Sequence, residues 1–452
     1  MSHANAAIIG GGLCGNLLAI ALARRGLSVE VFEKRSYEHS RSPDGGRSIN
    51  LALAARGIAA LERFDALAAV APLMLPMRGR MIHEADAHAR FAPYGAAGEC
   101  IYSVSRAALN RTLGEMAARK YAVRFHYGCE CTGLDPRTLE PIVSADGRSR
   151  RLDAEVVFAA DGAGSVVRQA LADTGTISSE ESLLDHGYKE LTIPPSTQTD
   201  AAAFALDPEA LHIWPRGEFM LIALPNTDRS FTATLFLARQ GNPSFASVDA
   251  SNVERFFAAE FTDALPLLER LAAEFADNAV GVMGTVRCTS WHAKHCLLIG
   301  DAAHAIVPFH GQGMNAAFED IAELDALIDD CPRAAAGWER LFEEFERTRI
   351  ARTNAIADMA LENYREMRDS VRDPAFTLQR ELALELERRF PDRFASRYSM
   401  VMFRPELSYT QAQDRGSRQS GILRELTRDA ASLDDVDFER AAGLLAQLPQ
   451  LE

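Results

Sequence analysis

The chain opens with a short apolar run, Ala6-Ala7-Ile8-Ile9, followed by the turn Gly10-Gly11-Gly12. A mostly apolar stretch over 16–25 comes next, stopped by Gly26, and a second alternating run over 28–32 ends at Glu33. Short apolar runs bounded by turn signals predict buried strands, and the longer apolar stretch predicts a helix, so 6–35 predicts strand, turn, helix, strand. Helical periodicity covers 54–71, extended pieces lie at 78–83 and 91–94, and a helix runs from a Ser105 cap to Lys120. Strands are predicted at 122–134 and 155–160. From 186 to 240 the pattern changes to alternation over 186–193, 203–214, 218–224 and 230–237, punctuated by Pro194-Pro195, Pro215-Arg216-Gly217 and Pro225-Asn226. That pattern predicts an antiparallel meander. Helical material spans 250–276, and Cys296-Leu297-Leu298-Ile299 returns as a buried strand. Beyond 316 helical periodicity dominates, over 316–330, 334–370, 374–389 and 435–447. The Arg- and Glu-rich faces of 337–352 are expected to be solvated helix surface.

Three strand ends carry chemistry. Gly10, Gly12 and Gly15 satisfy G-x-G-x-x-G between a strand and a helix. The three glycines allow a tight turn, close approach of backbone to a pyrophosphate, and close helix–strand packing. Glu33 ends the next strand, where a carboxylate can accept from a ribose hydroxyl; with that acid retained, FAD is the expected occupant rather than NADP. Asp161-Gly162 follows a second strand, as either a capped turn or a further dinucleotide contact. Gly300-Asp301 ends a third strand and leads into a loop shaped by Pro308, Gly311 and Gly313, with a helix opening at Asn315. A glycine-lined loop feeding a helix N-terminus suits an anionic ligand edge, such as the N1–C2=O side of a reduced flavin. The Pro43-Asp44-Gly45-Gly46 segment is expected to be a loop able to move.

Composition narrows the class. The chain has 452 residues, 47% hydrophobic and 25% charged, which fits an ordinary soluble globular protein of two domains. With 48 basic against 63 acidic residues the net charge is −15, which argues against nucleic acid and anionic membrane surfaces. Seven scattered cysteines show no zinc spacing, and Cys129 and Cys131 are expected to be small core residues. No metal site, leader or membrane span is expected. The expected location is cytoplasmic.

Together these three motifs, in this order, resemble the class A flavoprotein aromatic hydroxylases. The resemblance implies an α/β fold: a discontinuous Rossmann-like FAD-binding domain, an inserted antiparallel β-sheet substrate domain and a C-terminal helical region. The implied boundaries are 1–75, 98–180 and 280–330 for the first, 76–97 and 181–279 for the second, and 331–452 for the region closing the substrate pocket. The closer resemblance is to the kynurenine 3-monooxygenases. It rests on Gly46–Leu53 (G-R-S-I-N-L-A-L), Met77–His83 (M-R-G-R-M-I-H), Pro93-Tyr94-Gly95 and Ser103-Val104-Ser105-Arg106. It continues through H-G-Y-K-E at 186–190, L-H-I-W-P at 211–215, V-P-F-H-G-Q-G-M-N at 307–315, M-A-L-E-N-Y at 359–364 and R-Y-S-M at 397–400. The polar tail is expected to make this a soluble, bacterial-type member.

Residue by residue, the resemblance implies that Arg80 and Tyr94 bind the carboxylate of an amino acid substrate, with Asn363 and Tyr398 closing over the same end. It implies that Phe309 and His310, with Gly311, line the ring edge beside substrate. Arg106 becomes a flavin or phosphate contact, Asp301 a ribityl contact, and Met314-Asn315 backbone contacts to the ring. Cys14, Arg35, Ala52, Cys131 and Asp161 complete the expected FAD set with the glycines and Glu33. The implied reaction uses NADPH and O2 to convert L-kynurenine to 3-hydroxy-L-kynurenine through a C4a-hydroperoxyflavin, with NADPH bound transiently and no side chain as acid or base. A hydroxylase of a related or substituted aromatic amino acid, and a flavin-bound sensor, are the alternatives. A monomer or homodimer is expected.

Overall fold

The structure is a computed structural model that describes residues 4–41, 50–86, 88–95, 98–196, 203–328, 335–366 and 374–451. The expected mobile loop at 43–46, the first half of the Gly46–Leu53 motif and Cys331 lie outside those residues. The chain divides into two compact units. Unit 1 comprises Met1–Met74, Val104–Leu183 and Gly284–Ala357; unit 2 comprises Leu75–Ser103, Leu184–Met283 and Asp358–Glu452.

Unit 1 is built on a six-stranded sheet ordered His292–Ala293, Cys296–Leu298, Ala154–Ala159, Ala4–Ile9, Val29–Glu33 and Arg124–Tyr127. Four of its five pairings are parallel, with Ala6 opposite both Val156 and Val29. Parallel strands are covered on both faces, which is why they read as unbroken apolar runs: Ile8, Val31, Val156, Val157 and Leu297 have no exposed surface. The helix Leu13–Arg24 buries Leu17, Leu18, Ile20 and Leu22.

Charge is also buried here. Arg349 has no exposed surface and donates to Asp320 at 2.7 and 2.9 Å, to Glu319 at 2.8 Å and to Glu323 at 3.1 Å. Asp320, equally buried, pairs with His304 at 2.5 Å, and Glu319 pairs with Arg56. Arg347 and Glu344 are solvated, as expected of 337–352, but Arg349 and Glu346 are not. Helical periodicity assigns a face; it cannot tell solvent from a distant carboxylate.

Glu346 accepts from His292 Nδ1 at 2.9 Å, the Ser290 hydroxyl at 2.9 Å and the Trp291 amide at 2.7 Å. The hydrogen bond to Glu346 raises the His292 pKa against the opposing effect of burial. Burial pushes Glu346 up, but its bonds from His292 and Trp291 hold it below the usual glutamate range. A raised histidine stabilises the fold below its unfolded value of 6.5 and stops doing so as pH rises through the folded value. A depressed glutamate stabilises above 4.5, and that contribution is lost as pH falls through the folded value. Both contribute fully between those two pH values. His292→Gln is therefore expected to lower the thermal midpoint most inside that window. A difference from wild type that persists undiminished in alkaline buffer refutes this.

Unit 2 carries a seven-stranded sheet ordered Gly281–Cys288, Ser179–Ile193, Phe231–Ala238, Met220–Pro225, Ala210–Pro215, Gly79–His83 and Ala89–Pro93. Two hairpins of the predicted meander are present, with His212 opposite Ala223 and Ala223 opposite Ala233, but 186–193 pairs with the last strand of the run and not with its neighbour in sequence, Tyr188 lying opposite Phe236. The sheet is not wholly antiparallel: Gly79–His83 pairs parallel to Ala210–Pro215, with Arg80 opposite Leu211. Strands joined by a long connection can pair in either sense, which no hairpin allows. Of the predicted strand 203–214, only the last part is extended. Trp214, Leu221, Leu235, Phe257 and Phe261 form the core under one face. The helices Pro374–Arg389, Arg397–Phe403, Tyr409–Thr427 and Phe438–Leu445 follow, the middle two absent from the periodicity reading. Among the described residues no helix is long and apolar enough to cross a membrane.

Candidate functional site

In unit 1 the glycine turn is set by steric necessity. Gly10 has φ +101°, and a Cβ on it would lie 2.5 Å from the Ala160 carbonyl oxygen. A Cβ on Gly15 would lie 2.0 Å from the Gly10 oxygen, whereas one on Gly12 would meet nothing within 4 Å. The turn is thus closed toward the sheet and open at Gly12, where the Leu13–Arg24 helix begins without a side-chain cap. Its first N–H groups and positive dipole end are available to an anion. Asn16, 2% exposed, and Asn110 both donate to the Gly11 carbonyl at 3.2 Å and fix the turn. The sequence reading missed this pair, though a polar residue inside an apolar helix was a visible signal.

Glu33 accepts from the Gly11 amide at 2.8 Å and from the Arg35 amide at 2.9 Å, with the Arg35 side chain 3.4 Å away. A carboxylate offers about four acceptor positions, so capacity for ribose hydroxyls remains. Asp161 accepts from the Ser165 hydroxyl at 2.6 Å and the Val166 amide at 2.9 Å. Its carboxylate caps the Val166–Asp173 helix, and burial pushes its pKa up against those bonds. Arg168 donates to the Ala302 and Ala163 carbonyls at 2.9 and 2.6 Å, tying the Asp161 turn to the Asp301–His304 helix.

Asp320 accepts from the Gly300 amide at 3.2 Å, so the buried ion network also fixes the residue before Asp301. Gly311 is left-handed at φ +65°. Asn315, wholly buried, donates to the Ala52 and Gly311 carbonyls at 2.9 Å and accepts from the Ala54 amide at 2.9 Å. Its side chain is consumed in sewing Ala52 to the loop, leaving backbone at Met314 and Asn315 for a ligand. Phe309 and His310 are buried and Arg106 is exposed in the first turn of Arg106–Lys120. Burial, then Asp320 and Asp301, push the Cys14 thiol well up, and burial pushes Cys131 up to about 11. Both are packing walls rather than nucleophiles. An open glycine turn, an uncapped helix start and an adjacent carboxylate fit a dinucleotide such as FAD.

Unit 2 brings Arg80, Tyr94 and Tyr398 together. The Arg80 guanidinium carbon lies 4.6 Å from the Tyr398 ring centre and 5.6 Å from that of Tyr94, and the two rings stack at 5.4 Å. Among the described residues, neither Arg80 Nε nor the buried Tyr94 hydroxyl has a hydrogen-bond partner. Burial, then Tyr398, push the Tyr94 pKa well up, so it remains a neutral donor. Burial works against the Arg80 charge, but Tyr398 and Tyr94 more than offset it. Arg380 is pushed down to about 10, first by exclusion of water and then by Arg80 and Arg90. Unsatisfied donors in a positive field call for an anion with several acceptor positions, and a carboxylate has them. Arg78, two residues before Arg80, meets Glu209 at the surface.

The strand under Arg80 is pinned by groups the sequence did not suggest. His83 lies 2.9 Å from Asp263 and 2.9 Å from His212, and His212 reaches the Asp207 carbonyl at 2.9 Å. Trp214 donates to Asp263 at 2.8 Å and stacks on His83. Burial pushes His212 down to about 4. Asn363 is half-buried in the last turn of Ala335–Arg365.

The FAD binding domain family matches residues 3–360. Over 443 residues the chain is 44% identical to kynurenine 3-monooxygenase of Myxococcus xanthus (strain DK1622), covering 97% of this chain and 94% of that protein. It is 43% identical over 450 residues to kynurenine 3-monooxygenase of Stenotrophomonas maltophilia (strain K279a), covering 98% and 97%. Among solved structures, the tetrameric form of 2-methyl-3-hydroxypyridine-5-carboxylic acid oxygenase superposes with a TM-score of 0.67 at 19% identity, over 83% of this chain and 95% of that one. At that identity the likeness is one of fold. With a glycine turn and carboxylate built for a dinucleotide, and identities of 44% and 43% along nearly its whole length, the chain belongs to the kynurenine 3-monooxygenase family of FAD-binding proteins.

Proposed function

We propose that the chain is an FAD-dependent monooxygenase that uses NADPH and O2 to hydroxylate L-kynurenine to 3-hydroxy-L-kynurenine. The observation that carries the substrate is the Arg80–Tyr94–Tyr398 cluster, with its unpartnered Arg80 Nε and Tyr94 hydroxyl, in a member of this family. In this reading the three unit 1 segments hold FAD, the seven-stranded sheet is the inserted substrate domain, and the C-terminal helices close its pocket.

FAD would be held by the Gly10–Gly15 turn at its pyrophosphate, by Glu33 at its ribose, by Asp301 at its ribityl chain and by the Met314-Asn315 backbone at its ring. Bound there and reduced by NADPH, FAD supplies with O2 the oxygen transfer itself. The Gly313–Ile328 helix start favours negative charge on its ligand. Arg80 takes the substrate carboxylate in a fork, Tyr94 donates to the same group, and Asn363 and Tyr398 cover it. Fixing one end of the substrate orients its ring, which converts binding energy into rate. The substrate's own aromatic amine releases electrons to the adjacent ring carbon, so no side chain has to act as a base.

Purified FAD-loaded protein is expected to consume NADPH and O2 much faster when L-kynurenine is added, with product heavier by one oxygen atom. NADPH oxidation indifferent to L-kynurenine, or stimulated equally by other aromatic acids, would overturn the substrate assignment.

A further inference from the structure

We propose that Tyr364 and Arg397 are positioning residues for the substrate clamp, bracketing Asn363 and presenting Tyr398. The proposal rests on the reading above that Asn363 and Tyr398 contact substrate. Asparagine has a poor intrinsic preference for helix interiors, and final helical turns fray. An Asn363 side chain at the end of Ala335–Arg365 therefore needs its turn held from outside if it is to meet a ligand at a fixed place.

Two independent contacts hold it. On one flank, the Tyr364 hydroxyl lies 2.7 Å from His186 Nδ1, and His186 Nε2 lies 2.8 Å from the Glu218 carbonyl. A carbonyl only accepts, so Nε2 carries a proton and donates to it, and in the neutral ring Nδ1 accepts from the Tyr364 hydroxyl. Both side chains are 8% exposed and their rings meet edge to face at 5.6 Å. This fastens the last turn of the helix to the Ser179–Ile193 strand. On the other flank, Arg397 reaches Glu362 at 2.5 Å and Glu366 at 2.9 Å. One guanidinium thus spans two carboxylates a turn apart, with Asn363 between them in sequence.

Arg397 is also the first residue of Arg397–Phe403 and the neighbour of Tyr398. The same side chain therefore ties the turn bearing Asn363 to the helix start bearing Tyr398. Its stem lies against the Tyr409–Thr427 helix at Gly416, where a Cβ would come within 2.9–3.0 Å of Arg397 Cδ, Cβ and Cγ. A larger residue there would have to displace the arginine.

The test is a double-mutant cycle on FAD-loaded enzyme, with KM for L-kynurenine, kcat, bound FAD and thermal midpoint measured for each variant. Tyr364→Phe is expected to raise KM about tenfold, the factor for one well-made hydrogen bond, with kcat and bound FAD changed less than about twofold. In an Asn363→Ala background the same substitution is expected to leave KM nearly unmoved, because the group it positions is gone. Arg397→Lys, which keeps the charge but cannot span both carboxylates, is expected to raise KM less than Arg397→Met. If Tyr364→Phe multiplies KM by its full factor in the Asn363→Ala background, it acts elsewhere and the proposal falls alone. If Asn363→Ala itself leaves KM unchanged, the assignment of Asn363 to substrate falls and takes the proposal with it. A Tyr364→Phe enzyme with lowered thermal midpoint but unaltered KM reduces the contact to a structural staple and also overturns it.

Discussion

Arg349→Met is expected to destabilise the protein by about 3–5 kcal/mol, the range for removing one partner of a buried charge pair. Arg349 and Asp320 have no exposed surface, and Glu319 is only slightly accessible. Burial alone would push the Asp320 carboxyl up; His304 and Arg349 hold it below the usual aspartate range. Without the guanidinium, two carboxylates are left in a water-poor setting with Arg56 as the remaining guanidinium and His304 as a hydrogen-bond partner. For a unit of this size the thermal midpoint should fall by on the order of 10 °C. Asp320 also holds the Gly300 amide beside Asp301, so bound FAD should fall as well. Arg349→Lys should recover only part of the loss, because an ammonium cannot meet three carboxylates in one plane. A midpoint within a degree or two of wild type would show that the network contributes nothing net.

Arg80→Met is expected to act elsewhere and differently. Losing a charge-assisted contact to a carboxylate costs roughly 1.5–3 kcal/mol, so KM for L-kynurenine should rise about ten- to a hundredfold. Bound FAD should be unchanged, since every residue assigned to the cofactor lies in unit 1. The decarboxylated amine analogue of L-kynurenine provides the control. Wild type should discriminate against it by a similar factor, and Arg80→Met should lose most of that discrimination. Arg80→Lys should fall between the two, keeping charge without the fork. Loss of FAD with KM intact would assign Arg80 to the fold rather than to substrate.

What could be read from the chain follows a physical division. Gly10, Gly15, the Ser105 cap and the strand-terminal Glu33 answer to backbone geometry within a few residues, and each is placed as its local sequence predicts. Asp161 had two local readings of equal weight, and the hydrogen bonds from Ser165 and Val166 account for its side chain as a cap. Arg349, Asn16 and His83 depend on partners dozens to hundreds of residues away, which periodicity cannot name. The Tyr409–Thr427 helix is a different failure. Ser408 and Gln411 form a capping box whose signature stood in the sequence, but the polar, glycine-bearing run after it has little apolar periodicity. The parallel pairing of Gly79–His83 was likewise invisible, because alternation specifies faces and not strand direction.

Gly416 shows how stability and affinity oppose each other in this region. A glycine inside a helix costs about 1 kcal/mol relative to alanine, so selection for a firmer Tyr409–Thr427 helix alone would favour a methyl at that position. That methyl would strike the stem of Arg397 and loosen its hold on Glu362 and Glu366. Under the positioning role proposed for Arg397, a methyl at Gly416 would therefore set helix propensity against substrate affinity.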